Sequence, residues 1–219
     1  FIFFFYCSPF SSLFSVMSLR NLSLVLEYDG SRYQGWQRQS TGKTIQGIIE
    51  GVGERILQEK ITLYASGRTD AGVHATGQIA SFTTFNSMSV EAIKKALNSL
   101  FPSHLRVVDV LEAPLSFHPR KSAVRKIYVY VFSPSPSPVF WQPFVYSFSP
   151  RDFNLDLVKE CLSLLKGTYD FISFSSSKGV GTSVRTIYSI QIEEKPRGLL
   201  RLWVEGNGFL YNMVRIIAG

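Results

Sequence analysis

Residues 61 to 85 read ITLYASGRTDAGVHATGQIASFTTF, and the fold turns on how this stretch divides. Its ends, ITLYASG (61 to 67) and QIASFTTF (78 to 85), are short, apolar-rich runs that read as two strands. The middle is polar and carries Gly67, Gly72 and Gly77, so it reads as the connection between them. That connection holds one carboxylate, Asp70, with Arg68 just before it and His74 just after. From the residues alone Asp70 has two readings. It is a surface turn residue that bonds to nearby amides, or it is a carboxylate presented from a tight loop to do chemistry.

The pattern extends in both directions. Upstream, SLVLEYD (23 to 29) predicts a strand that ends at Gly30 and Ser31. TIQGIIEGVGERILQ (44 to 58) predicts a helix behind the N-cap Thr44, with Ile45, Ile48, Ile49, Val52, Ile56 and Leu57 at helical spacing, although its internal glycines weaken it. Downstream, SVEAIKKALNSLF (89 to 101) places Val90, Ile93, Leu97 and Leu100 on one face behind the N-cap Ser89. Pro102 stops it, and LRVVDVLEA (105 to 113) follows as a strand. The order is β-α-β-β-α-β, the ferredoxin-like arrangement.

The second half starts the same way. RKIYVYVF (125 to 132) predicts a strand, and after the run SPSPSP a helix is expected from about Asn154 to Lys166, closed by Gly167. Strands follow at SVRTIYSIQIEE (183 to 194) and LLRLWVEG (199 to 206), then an apolar helix at FLYNMVRIIAG (209 to 219). The expectation is an α+β protein of two ferredoxin-like halves, 17 to 115 and 116 to 219, with antiparallel sheets flanking a basic cleft. The second half lacks its last strand, as a fragment would. FIFFFYCSPFSSLFSV (1 to 16) carries no charge and no basic n-region, so it is read as an apolar leader or upstream extension before Met17, outside the fold.

Composition narrows the function. The chain has 219 residues, and 23 Lys and Arg against 16 Asp and Glu give it a net charge of +7, which favours a polyanionic partner such as nucleic acid or an anionic membrane surface. Cys7 and Cys161 lie far apart, and His74, His104 and His118 are scattered, so no structural metal and no redox motif is expected. Arg32, Arg38, Lys43, Arg120, Lys121, Arg125 and Lys126 cluster around aromatic residues such as Tyr33 and Trp36, a pattern suited to phosphates.

Four blocks in order, EYDGSRYQGWQRQ (27 to 39), SGRTDAGVHATGQIASF (66 to 82), FHPRKSAVRKIYVY (117 to 130) and EGNGFLYNMVRIIAG (205 to 219), resemble the motif series of the TruA family of tRNA pseudouridine synthases. The resemblance spans nearly everything from Met17 onward and implies isomerisation of a uridine already in tRNA. The N1 glycosidic bond breaks, the uracil turns, and it rejoins the sugar through C5. It implies Asp70 as the catalytic residue and Arg215 as its partner. Tyr128 would pack on the target base, and Arg68 would contact RNA near the flipped nucleotide. His74 and Gln78 are further RNA contacts on this reading. Whether Asp70 attacks the sugar, attacks the base or removes a sugar proton stays open. No cofactor is implied. The anticodon stem and loop of tRNA is the implied target, a homodimer the implied state, the cytoplasm the implied location, and no membrane is involved.

Two other classes compete. A noncatalytic RNA-binding module on the same scaffold would show the same basic and aromatic surface. A membrane-associated protein would use the Phe-rich leader as its anchor.

Overall fold

A computed structural model describes residues 18–149, 153–176 and 181–219 of the chain. The apolar leader of residues 1–16 lies outside them. The fold is α+β, and the chain divides into two units, Phe1–Ser122 and Ala123–Gly219.

The first unit is organised around β1 (Arg20–Tyr28), in which Leu22, Leu24, Leu26 and Tyr28 alternate into the core. Burying each of these leucines stabilises the unit by about 2 kcal/mol. Then come α1 (Ile45–Leu57), β2 (Tyr64–Ala65), β3 (Ala75–Thr84), α2 (Val90–Leu100), β4 (Leu105–Ala113) and the short α3 (Pro119–Ser122). The sheet order is β2-β3-β1-β4, and every pairing is antiparallel. Ile45, Ile49 and Leu57 of α1, with Ile93 and Leu97 of α2, join the leucines of β1, Phe82 and Val107 in one core. Both helices start where their caps were expected. The Thr44 side chain accepts from the Gly47 N–H, and the Ser89 side chain from that of Ala92.

The second unit contains β5 (Lys126–Pro134), β6 (Tyr146–Phe148), α4 (Leu155–Leu164), β7 (Gly167–Asp170), β8 (Val184–Lys195), β9 (Leu199–Gly206) and α5 (Met213–Ala218). Its sheet runs β6-β5-β9-β8-β7, with β5 and β6 parallel and the remaining pairs antiparallel. Ile187, Ile192, Leu200, Leu202 and Val204 form a second core with Leu162, Phe171, Met213 and Val214.

Several elements depart from the sequence reading, each for a local reason. The strand expected over 61 to 67 shrinks to Tyr64–Ala65 because the Leu63 N–H donates to the Glu50 carboxylate of α1, at 2.9 Å, instead of to a neighbouring strand. β3 starts three residues before Gln78 because Tyr28 of β1 pairs with Ala75. The last helix begins only at Met213, since Asn212 adopts a left-handed conformation (φ 59°) that a continuous helix excludes. β6, β7 and α3 are too short for periodicity to reveal.

Candidate active site

The connection from β2 to β3 carries Asp70, and it is tied at its base. The Ser66 N–H donates to the Ile79 carbonyl at 2.8 Å, continuing the strand pairing beyond Ala65. Gln78 is only 8% exposed; its amide donates to the Gly67 carbonyl and accepts from the Ser66 hydroxyl, both at 2.7 Å. Both ends of the Gln78 amide are engaged inside the protein, where they brace the base of the loop.

At the tip, the Val73 N–H donates to the Asp70 carbonyl at 3.2 Å, closing a four-residue turn with Asp70 in first position. Gly72 occupies the third position at φ +79°, where an L side chain is strained. Asp70 is half-buried and Arg68 is exposed. The turn fixes the backbone of one carboxylate, and a carboxylate so held can act as a nucleophile or accept a proton.

Both arms of the turn are gripped by the segment that follows β1. On the incoming arm, the Thr69 carbonyl accepts from the Trp36 N–H at 2.9 Å, and the Thr69 hydroxyl lies 2.9 Å from the Tyr28 hydroxyl. On the outgoing arm, Gly30 packs so closely that a Cβ placed there would sit 1.9 Å from the Val73 carbonyl oxygen. Beside it, His74 Nδ1 lies 3.0 Å from Asp29 Oδ1 and 3.2 Å from the Gly30 amide nitrogen. Burial works against the charge on Asp29. The Ser31 hydrogen bonds and the nearby His74 and Arg32 outweigh it, and the carboxyl stays below its ordinary range.

The same segment is anchored to α1. The helix N-terminus leaves amides without intrahelical partners, and those of Ile45 and Gln46 donate to the Gly35 and Trp36 carbonyls. Behind them, Glu50 accepts from Arg38 at 3.0 Å and from Gln46 and the Leu63 N–H, each at 2.9 Å.

The aromatic residues of the first block serve the core. Trp36 and Tyr33 are 2% and 5% exposed and belong to the core, so neither ring offers a face to RNA. Burial, and then the charge of Asp29, raises the Tyr33 phenol above its ordinary value, and its hydroxyl has no hydrogen-bond partner among the described residues. Arg38 is committed to Glu50 and Arg125 to Glu205.

Tyr128 and Arg215 belong to the second unit. Tyr128, on β5, is half-buried and meets Phe209 edge to face, with centroids 5.0 Å apart at 82°. Arg215 is exposed on α5, although Val214, Ile216 and Ile217 flank it in sequence. Consecutive helical residues point about 100° apart, and the apolar face of α5 is carried by Met213, Val214 and Ile217. Among the described residues, no group of three or more His, Cys, Asp or Glu could hold a metal ion.

Sequence reasoning missed Tyr28, Asp29, Gly30 and Glu50 as parts of the site's support. The sign available was the block EYDG itself, where a carboxylate and a glycine end a buried strand.

The chain matches the tRNA pseudouridine synthase family over residues 24–120 and 162–219. It is 39% identical over 201 residues to the tRNA pseudouridine synthase A of Thermotoga maritima, covering 91% of this chain and 82% of that protein. The protein of the same name from Thermodesulfovibrio yellowstonii is 37% identical over 210 residues, with the same coverage. That from Caldicellulosiruptor bescii is 38% identical over 203 residues, covering 92% of this chain and 82% of the relative.

Proposed function

From the premise that the chain belongs to the tRNA pseudouridine synthase family, isomerases acting on uridines of tRNA, we propose that it converts uridine to pseudouridine in the anticodon stem and loop, with Asp70 as its catalytic carboxylate. The observation that carries this reading is the turn at Asp70 to Val73, closed on itself and held on both arms by residues 28 to 36. A solvated turn needs no such support. A carboxylate that must meet one atom of a bound nucleotide does.

The chemistry needs no external reagent, because substrate and product are isomers. The C1′–N1 bond breaks, a C1′–C5 bond forms, and the proton on C5 is replaced by one on N1. Extruding the target nucleotide from structured RNA costs a few kcal/mol, recovered through stacking and polar contacts. Tyr128 is assigned the stacking role, since its ring already engages an aromatic neighbour and its hydroxyl can bond to a base. Arg215 is assigned a catalytic role, and the exposed Arg68 is assigned to phosphate near the flipped nucleotide.

Two wider features belong to the same proposal. The strand order β4-β1-β3-β2, with two helices inserted after β1 and β3, supports a ferredoxin-like first unit, and β5-β9-β8 in the second unit follows the corresponding order. A cytoplasmic homodimer is the state in which one tRNA could touch two copies. No helix among the described residues is long and apolar enough to cross a membrane.

The test is incubation of the purified protein and its Asp70→Asn variant with an unmodified tRNA transcript, followed by mapping of pseudouridine at nucleotide resolution. Asn preserves the turn, so tRNA affinity is expected to stay within about tenfold while product disappears. Product from Asp70→Asn at the wild-type rate would return Asp70 to the status of a turn residue. Tight tRNA binding without product from either protein would favour the noncatalytic module.

A further inference from the structure

We propose that His74 is a positioning residue, one that fixes the outgoing arm of the Asp70 turn through Asp29 and the Gly30 amide, instead of a residue that contacts RNA. The inference rests on the assignment of Asp70 as the catalytic carboxylate.

The incoming and outgoing arms of the turn are held in different ways. Thr69 is held by a backbone hydrogen bond from Trp36 and a hydroxyl contact with Tyr28. Val73 makes no such bond to the 28 to 36 segment: its amide is used within the turn, and its carbonyl packs against Gly30 by contact alone. Contact prevents approach and does not prevent departure. The polar tie on that side is the imbalance His74 corrects. Its Nδ1 stands at 3.0 Å from the Asp29 carboxylate and 3.2 Å from the Gly30 N–H. A single nitrogen cannot donate to the first and accept from the second at once. A lone pair on Nδ1 would face the Asp29 carboxylate oxygen at the shorter distance, so the tie is the hydrogen bond that Nδ1 donates to Asp29, with the Gly30 amide packed beside it.

Asp29 is in turn fixed from behind. The oxygen that faces His74 also accepts from the Ser31 N–H at 2.9 Å, and the Asp29 N–H donates to the His104 carbonyl at 3.0 Å. The order of support runs from the end of β1 to Asp29, then His74, then Val73, then Asp70. Both side chains of the pair are 30% exposed, which leaves the tie accessible to water but not dissolved in it. Loss of the tie would loosen the arm ahead of Ala75, where pairing with Tyr28 begins, and let the carboxylate drift, and a displacement of about 1 Å is enough to cost roughly a hundredfold in rate.

The experiment compares the wild type with His74→Leu, His74→Asn, Asp29→Ala and the double variant His74→Leu/Asp29→Ala. Hydrogen–deuterium exchange of the peptide spanning 66 to 78 reads the tie directly, and pseudouridine formation on an unmodified tRNA transcript reads its consequence. His74→Leu is expected to speed exchange at 69 to 74 about tenfold and to lower kcat about tenfold, with KM for tRNA within about threefold. His74→Asn, whose amide can reach Asp29 and Gly30, should recover most of both. Asp29→Ala reaches the same tie from the other side and should reproduce the faster exchange. The double variant should be no worse than the poorer single variant, as expected for residues that act as a unit. Wild-type exchange in folded His74→Leu or in Asp29→Ala overturns the inference. So does a raised KM with unchanged kcat in His74→Leu, which would place the imidazole on RNA. Asp70→Asn in the same assay separates the two levels. If it is active, the catalytic assignment fails. If it is inactive while His74→Leu behaves as wild type, only the positioning role fails.

Discussion

Trp36 joins the Asp70 loop to α1 through its own peptide groups: its N–H donates to the Thr69 carbonyl at 2.9 Å, and its carbonyl accepts from the Gln46 N–H at 3.0 Å. The residue before the candidate catalytic carboxylate is thus two backbone hydrogen bonds from the N-terminus of a core helix. Helix position and loop position are one quantity.

Glu50 offers a direct measure of that connection. Its carboxylate, 4% exposed, holds Arg38, Gln46 and the Leu63 N–H together. Glu50→Ala leaves the Gln46 amide and the Leu63 N–H without this acceptor and is expected to destabilise the protein by about 3 kcal/mol. Urea denaturation would measure it. Glu50→Gln, which keeps one acceptor, should cost less.

Gly30→Ala is expected to be worse for activity than for folding. The added methyl would sit 1.9 Å from a backbone oxygen, so it must push Val73 away, and with it the turn. Turnover should fall about tenfold or more, while far-ultraviolet circular dichroism stays that of the wild type. Retained turnover would show that the loop tolerates displacement.

Stability should depend on Asp29 in a pH window of defined sign. Its folded carboxyl titrates below the ordinary value of 3.8. A depressed carboxylate contributes stability above its unfolded value and loses it as pH falls through the folded one. The Tm difference between wild type and Asp29→Asn should therefore be constant from about pH 7 to about pH 5 and close as pH drops below 3.8. Thermal melts across this range check it.

Arg215→Ala should separate activity from stability. The side chain is exposed on α5, so unfolding free energy is expected to change by about 0.5 kcal/mol or less, with turnover greatly reduced. A large loss of Tm would show that the guanidinium supports the fold.

Tyr128→Phe keeps the edge-to-face contact with Phe209 and removes only the hydroxyl. Stability and tRNA binding should change little, with kcat reduced about tenfold. Tyr128→Ala should also lose the aromatic pair, at about 1 kcal/mol. Unchanged turnover in Tyr128→Phe would make the residue a packing tyrosine.

Legibility followed the range of the interaction. The caps Thr44 and Ser89, the alternation in β1 and the helical stripes of α1 and α2 are local, and the sequence displays them. The shortened β2 was hidden because its cause, Glu50, lies 13 residues from Leu63 on another element. Tyr33 and Trp36 have basic neighbours in sequence, but their neighbours in space are His104 and Tyr28, which the sequence does not display. Arg215 is exposed although apolar residues flank it in sequence, since residues adjacent in a helix do not surround one another. At the site, Asp70 was readable as a loop carboxylate. What holds it was not, because Asp29 and His74 are distant in sequence and share no periodicity.

The grip on the Asp70 turn also sets when the site can exist. Tyr28 and Thr69 are 41 residues apart in the chain, and Gly30 and His74 are 44 apart. Closing loops of that size is an entropic cost that nothing local offsets, so these contacts form only after β1 and β3 have found each other. Helix α1 can form early without assembling the turn. In a refolding experiment, helical signal should therefore return before the ability to modify tRNA, and partly folded chains should carry a candidate nucleophile with no fixed place. Competence is expected late in folding, tied to the pairing of two strands that lie far apart in the sequence.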